Sequence, residues 1–264
     1  TPPKPLVQRR HRFEVIERIM PDGSVRQPLD DVSVDSVLEK LEQLQPEAIA
    51  ICLLHSYANP IHERKVVDAV KTRFPNVYVS GSIDVLPEIR EYERTSTTVI
   101  NSYIGPIVDS YLKSMQTRLE HANMPVPISI MQSNGGVMSY AAARRSPARI
   151  IESGPAAGVV EALRLADRIG LEDVITFDMG GTTAKASLIE QGKPSLTTEY
   201  EVGAGIQLSN RLVKGQGHAL KLPVIDIAEV GAGGGSIVRV DPGGSLRVGP
   251  QSAGAKPGPA CYRQ

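Results

Sequence analysis

The chain reads as an α/β fold. Two features of the residue order predict it: helical and strand-like apolar patterns alternate through the first part of the chain, and glycines crowd beyond about residue 180, where they punctuate short strands. Val34, Val37, Leu38, Leu41 and Leu44 recur at helical spacing, and the apolar run 48–54 follows as a buried strand. Asn59 and Pro60 then open a second helix, Asn59 as its N-cap and Pro60 at its first position. Its apolar positions Val66, Val67, Val70 and Phe74 lead to a second strand near Val77–Ser80. Strand, helix and strand together predict a crossover unit.

The segment 88–94 is dense in charge and reads either as a solvated, self-paired helix face or as a substrate-positioning cluster. Ile104, Ile107, Val108, Tyr111, Leu112, Met115 and Leu119 then form one apolar stripe on a long helix. Residues 125–131 read as a strand ending in the turn Ser133-Asn134-Gly135-Gly136. A further amphipathic helix is expected from about Pro155 to Ile169, with Val159, Leu163 and Ala166 inward. A division near residue 95 separates segments 1–95 and 96–264, and the long helix could join either side.

Composition excludes several classes of function. Lys plus Arg and Asp plus Glu both number 29 among 264 residues, so no basic field recruits nucleic acid or an acidic membrane. With no Trp and three Phe, a base-stacking platform is not expected. No apolar run is long enough to span a bilayer, and no signal-peptide layout is present. Cys52, inside an apolar run, and Cys261 have neither disulfide-framework nor metal-ligand spacing, which fits a reducing, cytoplasmic setting. The opening Thr1-Pro2-Pro3-Lys4-Pro5 suggests a cut or processed piece.

The stretch 174–189 carries the most chemistry. An apolar strand ends at Asp178, the turn Gly180-Gly181-Thr182-Thr183 follows, and a second strand begins. Glycines at such a turn let backbone N–H groups approach phosphate oxygens, and the threonine hydroxyls add donors. A carboxylate at the strand's end can hold Mg2+ against the same phosphates, commonly through water. The plain alternative is a ligand-free glycine hairpin. A second glycine stretch, Gly231-Ala232-Gly233-Gly234-Gly235-Ser236, is not a dinucleotide loop, because it opens a strand and not a helix. It reads as a hairpin bend with the turn Asp241-Pro242-Gly243-Gly244 beyond it, or as a side-chain-free surface against adenine or ribose. No P-loop pattern is present.

Asn134 and Gly135 could face a ligand or only supply a turn. His55 follows the first strand at its carboxyl end, where α/β ligands gather, although a lone histidine is more often structural. His11, His62, His121 and His218 have no metal-ligand spacing.

Taken in order, several motifs resemble the hydantoinase A/5-oxoprolinase family, whose relatives include subunits of ATP-dependent ketone carboxylases. They are His55-Ser56-Tyr57-Ala58-Asn59-Pro60, the stretch 88–98, Met131-Gln132-Ser133-Asn134-Gly135-Gly136, Glu152-Ser153-Gly154-Pro155-Ala156, and the stretches 177–185, 231–236 and 249–262. The resemblance implies an actin-like ATPase (ribonuclease H-like) fold, with residues 1–95 ending an N-terminal domain and 96–264 opening the domain that holds a second phosphate loop. Small residues Gly154, Ala156, Ala157 and Gly158 would then let a connecting helix pack closely between lobes. The family's first phosphate loop is missing before Asp178 and its sequence continues beyond Tyr262, so the resemblance implies the middle of a longer subunit, inactive alone.

By the same resemblance the activity is ATP-dependent opening of a hydantoin or 5-oxoproline-like cyclic amide through carbonyl phosphorylation. A ketone carboxylase subunit and a non-catalytic nucleotide-binding or assembly module are the alternatives. ATP and Mg2+ are the implied cofactors, and a hydantoinase B-like subunit, within a hetero- or homo-oligomer, the implied partner. Asp178 is the expected metal ligand. Gly180, Gly181, Thr182, Thr183, Gly231, Gly233, Gly234, Gly235, Ser236, Asn134 and Gly135 are the expected nucleotide contacts, and Asp178, Lys185 and His55 the catalytic candidates. Lys185 stands where many relatives carry Asp and resembles the ATP-hydrolysing N-methylhydantoinase branch. The plain reading leaves it on a hairpin's solvent face.

Overall fold

Asp30 sets the first helix: its carboxylate accepts the N–H groups of Val32 and Ser33 at 3.3 and 3.2 Å, so the chain turns helical there. The computed structural model describes residues 4–124, 126–203 and 217–263. A short antiparallel pair, β1 (Arg18–Ile19) and β2 (Val25–Gln27), precedes α1 (Asp31–Leu44). Next come β3 (Ala48–Ile51), α2 (Ile61–Arg73) and β4 (Tyr78–Gly81). β3 and β4 pair in parallel from Ala48↔Tyr78 to Ile51↔Gly81, which is the expected crossover. Val34, Leu41, Ile49, Ile51, Val66, Val67 and Val70 close its core.

Three local expectations need correction. The first strand stops at Ile51 and not at residue 54, because the chain leaves the sheet and turns through His55 at φ 58°. The second helix starts at Ile61, so Pro60 is the cap position, yet Asn59 still accepts the Ile61 N–H at 3.2 Å. Arg94 is not solvated: it is 1% exposed and donates to Ser56 Oγ at 2.6 Å and to the Leu53 carbonyl at 2.8 Å. Its charge is balanced through Ser56 and Ser82, whose hydroxyls lie 3.3 Å apart, by the fully buried Glu63, 2.9 Å from Ser82 Oγ. Burial, and then the Glu63 charge, push the nearby Cys52 thiol up to about 11.

After α3 (Ser82–Val85), the long helix α4 (Glu91–His121) packs on β3 and β4 and also reaches the second half of the chain. It passes over the Tyr78 ring at Gly105, where any Cβ would enter that ring. The expected stripe on α4 is only partly covered, with Leu112 1% exposed but Ile107 75% and Tyr111 66%. β5 (Ser129–Met131) and β6 (Val137–Ser139) form a hairpin around the 133–136 turn, followed by α5 (Tyr140–Arg145). The first strand of that hairpin is shorter than expected, and Pro125 lies outside the described residues.

A 3-10 turn (Pro147–Ile150) leads into α6 (Ser153–Ile169), closed by Gly170 in the left-handed conformation. Gly154 and Gly158 of α6 have nothing within 4 Å of an added Cβ, so among the described residues no close packing demands them. β7 (Val174–Met179) and β8 (Ala184–Glu190) make the expected hairpin. Short strands β9 (Lys193–Pro194), β10 (Leu196–Thr197), β11 (Tyr200–Val202), β12 (His218–Leu220) and β13 (Val224–Ile225) follow. β14 (Ile227–Val230) then returns beside β8, and β15 (Ser236–Val240) with β16 (Leu246–Ser252) forms the last hairpin.

Register decides the faces of the β14-β8-β7 sheet. The face under α6 carries Val174 opposite Ile189, then Thr176, Ser187 and Ile227, then Asp178, Lys185 and Glu229. Ala156 and Val159 of α6 pack on Ile189 and Ile227 at its apolar end, leaving the charged row at the other. The opposite face carries Ile175, Phe177 and Met179, which are 72%, 69% and 55% exposed.

Candidate active site

The charged row lies where the turn 180–183 begins. Lys185 stands between two carboxylates directly opposite it in register, Asp178 on β7 and Glu229 on β14. Its Nζ lies 3.5 Å from Glu229 Oε2 and 3.5 Å from Oε2 of Glu152, the residue capping α6. All three side chains are a quarter exposed or less, so solvent screens these contacts less than open surface pairs. The solvent-face reading of Lys185 is therefore set aside. The Asp178 carboxylate, by contrast, has no hydrogen bond or ion pair among the described residues, and the residue is exposed.

Glu152 is itself fixed from three sides. Its N–H donates to Ser133 Oγ at 3.1 Å, the Tyr200 hydroxyl donates to its Oε1 at 3.0 Å, and Lys185 lies at its Oε2. Ser133 is buried and held between the 3-10 turn, through the Arg149 carbonyl at 2.8 Å, and β13, through the Ile225 N–H at 2.8 Å. In the same turn Asn134 Oδ1 accepts the Gly136 N–H at 2.9 Å, and Gly135 takes φ 83° with an added Cβ meeting Val160 at 2.9 Å. Asn134 and Gly135 thus shape the turn that places Glu152.

The two glycine stretches pack on one another. Gly234 and Gly235 donate their N–H groups to the carbonyls of Gly180 and Gly181 at 2.9 and 2.8 Å, and Gly233 donates to Ser236 Oγ at 3.0 Å. A Cβ at Gly233 would meet the Gly180 carbonyl at 2.6 Å and the Thr182 backbone at 2.7 Å, so the flush contact requires glycine. Gly231 faces open space. The Gly180 N–H is engaged by the Thr183 carbonyl at 3.0 Å, whereas the N–H groups of Gly181, Thr182 and Thr183 have no partner among the described residues. Three successive unengaged donors beside an unpaired carboxylate can receive phosphate oxygens together with a divalent cation.

That set fits Mg2+ better than a metal needing an all-protein cage. Among the described residues no group of three or more His, Cys, Asp or Glu side chains could hold a metal ion. One carboxylate supplemented by phosphate and water is the usual magnesium arrangement. Asp178, Glu152 and Glu229 against Lys185 leave a net of two negative charges, so a polyphosphate would need a divalent cation to approach.

His55 is not brought to this row by any described contact. Its Nδ1 lies 2.8 Å from the Ile19 carbonyl and its ring meets Tyr57 edge-on, in the crossover unit. A separate cavity of about 160 Å³ is lined by Arg90, Glu93, Lys221 and the 198–201 segment. Sequence reasoning missed the roles of Glu152, Glu229 and Tyr200. The pairing of Asp178 with Lys185 can be counted from the turn, but β14 and α6 reach Lys185 only through tertiary placement.

This combination defines a mixed α/β protein in which two glycine stretches pack together beside a row of charged side chains. The chain belongs to the hydantoinase/oxoprolinase family: the family model matches residues 94–264, and the family's N-terminal region matches 2–74. It is 47% identical over 98% of its length to an uncharacterized protein of Methanocaldococcus jannaschii, covering 38% of that protein. The crystal structure of ATP-dependent caprolactamase from Pseudomonas jessenii matches with a TM-score of 0.79 and 36% identity, over 99% of this chain and 36% of that one. A nucleotide-free acetone carboxylase structure matches with a TM-score of 0.73 and 30% identity, over 92% and 33%. The chain thus spans about a third of the length of these relatives. No helix among the described residues is long and apolar enough to cross a membrane.

Proposed function

We propose that this chain forms part of an ATP-using enzyme subunit that opens a cyclic amide, of the hydantoin, 5-oxoproline or lactam class, by phosphorylating its carbonyl oxygen. The observation that carries the reading is the Asp178 carboxylate, unpaired among the described residues, beside N–H groups of residues 181–183 that are unengaged among them too. Its relatives include proteins named caprolactamase subunit alpha and 5-oxoprolinase, which supports amide chemistry. The full protein's fold is taken as actin-like, with these residues as the second of two phosphate loops.

A cyclic amide is a poor electrophile because nitrogen donates into its carbonyl. Attack of the carbonyl oxygen on the γ-phosphorus expels ADP and leaves phosphate as the group on carbon. Water then adds at that carbon, the C–N bond breaks as the nitrogen takes up a proton, and a second water hydrolyses the resulting acyl phosphate to carboxylate and free phosphate. Phosphoryl transfer depends mainly on positioning and charge neutralisation. Asp178 would hold Mg2+, which supplies charge neutralisation at the phosphates when bound. The N–H groups of 181–183 and the hydroxyls of Thr182 and Thr183 orient the transferred group, and Lys185 keeps a cation within the site. His55 has no role in this scheme.

The test is metal-dependent ATP turnover by the full-length subunit with its partner, supplied in parallel with hydantoin, 5-oxoproline, caprolactam, or acetone plus bicarbonate. Phosphate release stimulated by a cyclic amide supports the reading. Stimulation by the ketone alone would move the protein to the carboxylases, and nucleotide binding without turnover would make it a binding module.

A further inference from the structure

Lys185 has a carboxylate opposite it on each neighbouring strand, Asp178 and Glu229, and pairs with only one of the two. Asp178 and Glu229 occupy matching positions on the strands either side of β8, where directly opposed side chains start about 5 Å apart at Cβ. Either could take the ammonium. The structure has Nζ 3.5 Å from Glu229 and from Glu152, and no ion pair to Asp178. Lys185 also pairs with Glu152, which comes from α6 and not from the sheet. Its Oε1 is committed to the Tyr200 hydroxyl at 3.0 Å and its Oε2 faces Lys185. Tyr200 is 5% exposed and belongs to the cluster with Ile100, Leu220 and Val224, so Glu152 is held from a rigid base.

The geometry points to Glu152 and Glu229 as positioning residues whose joint work is to draw Lys185 off Asp178, keeping that carboxylate free for a divalent cation. The inference rests on Asp178 being the metal ligand of the proposed function. A lysine released from both glutamates has Asp178 as its nearest remaining carboxylate in the row. It would form a lysine–aspartate pair there and compete with the metal for the same oxygens. The apparent metal affinity then falls by the fraction of molecules in which Asp178 remains free.

The test is Mn2+ binding to the full-length protein at saturating non-hydrolysable ATP analogue, followed by electron paramagnetic resonance, with circular dichroism to confirm folding. E152Q/E229Q should raise the half-saturating Mn2+ concentration about 10-fold, as expected if Asp178 is then free in about one molecule in ten. Adding K185M to that pair should bring it back to within about 3-fold of the parent, because the competitor is gone. A glutamate that served only the fold would give no such rescue. Unchanged binding in E152Q/E229Q, or a triple variant as weak as the double, overturns the proposal. Should the double variant not fold, E229Q with and without K185M poses the same question with the same two outcomes. D178N separates the two levels: if it leaves Mn2+ binding unchanged, the metal-ligand reading fails. If D178N weakens binding while the glutamate variants do not, only the positioning role fails.

Discussion

The Gly234 N–H donates to the Gly180 carbonyl at 2.9 Å, so one glycine stretch forms the floor on which the other is laid. Neighbouring Gly235 sits so close to the Gly254 and Gly181 carbonyls that a Cβ would collide with both. Backbone atoms cannot swing aside as a side chain can. Gly235→Ala is therefore expected to cost about 1–3 kcal/mol, while Gly231→Ala, facing open space, should stay within about 0.5 kcal/mol. Paired chemical-denaturation curves check both, and equal losses would contradict the packing account.

Arg94 gives a prediction in the crossover unit. Replacing it with Met removes the donors to Ser56 and Leu53 and leaves Glu63 buried without its distant counter-charge. The expected loss is about 3 kcal/mol or more, read as a lower denaturation midpoint with unchanged slope. Arg94→Lys should recover only part of it, since a single ammonium replaces two forked donors to partners on separate residues.

These two cases mark what was legible in the residue order. The β7–β8 hairpin, α6 and the crossover follow from periodicity and turn residues, and the structure has all three. Arg94 did not, because a run such as Glu91-Tyr92-Glu93-Arg94 has the composition of a wetted surface. Its burial comes from Ser56 and Leu53, some forty residues away. The setting of Lys185 was half legible: Asp178 lies symmetrically across the turn, but Glu152 and Glu229 arrive on elements whose register no local pattern fixes.

Asp109 provides a pH signature. Burial raises its carboxyl pKa, but the hydrogen bonds and charges of Lys113 and Arg144, each 2.6 Å away, outweigh that and hold it below the usual value. A carboxyl depressed in the folded state contributes stability above its unfolded pKa of about 3.9 and loses it as pH falls through the lower folded value. The melting-temperature gap between the parent protein and Asp109→Asn should therefore be constant at neutral pH and shrink below about pH 4. A gap that widens on acidification would reverse the assigned sign.

In the proposed function, Asp178 and the turn beside it receive a metal-bound triphosphate. The most direct measurement is metal-dependent ATP turnover by the full-length subunit carrying Asp178→Asn, a change that keeps the side chain's size at an exposed position. Turnover is expected to fall at least about 100-fold, equivalent to about 2.7 kcal/mol of transition-state stabilisation, with the thermal melt unchanged. Turnover within about twofold of the parent protein would contradict it.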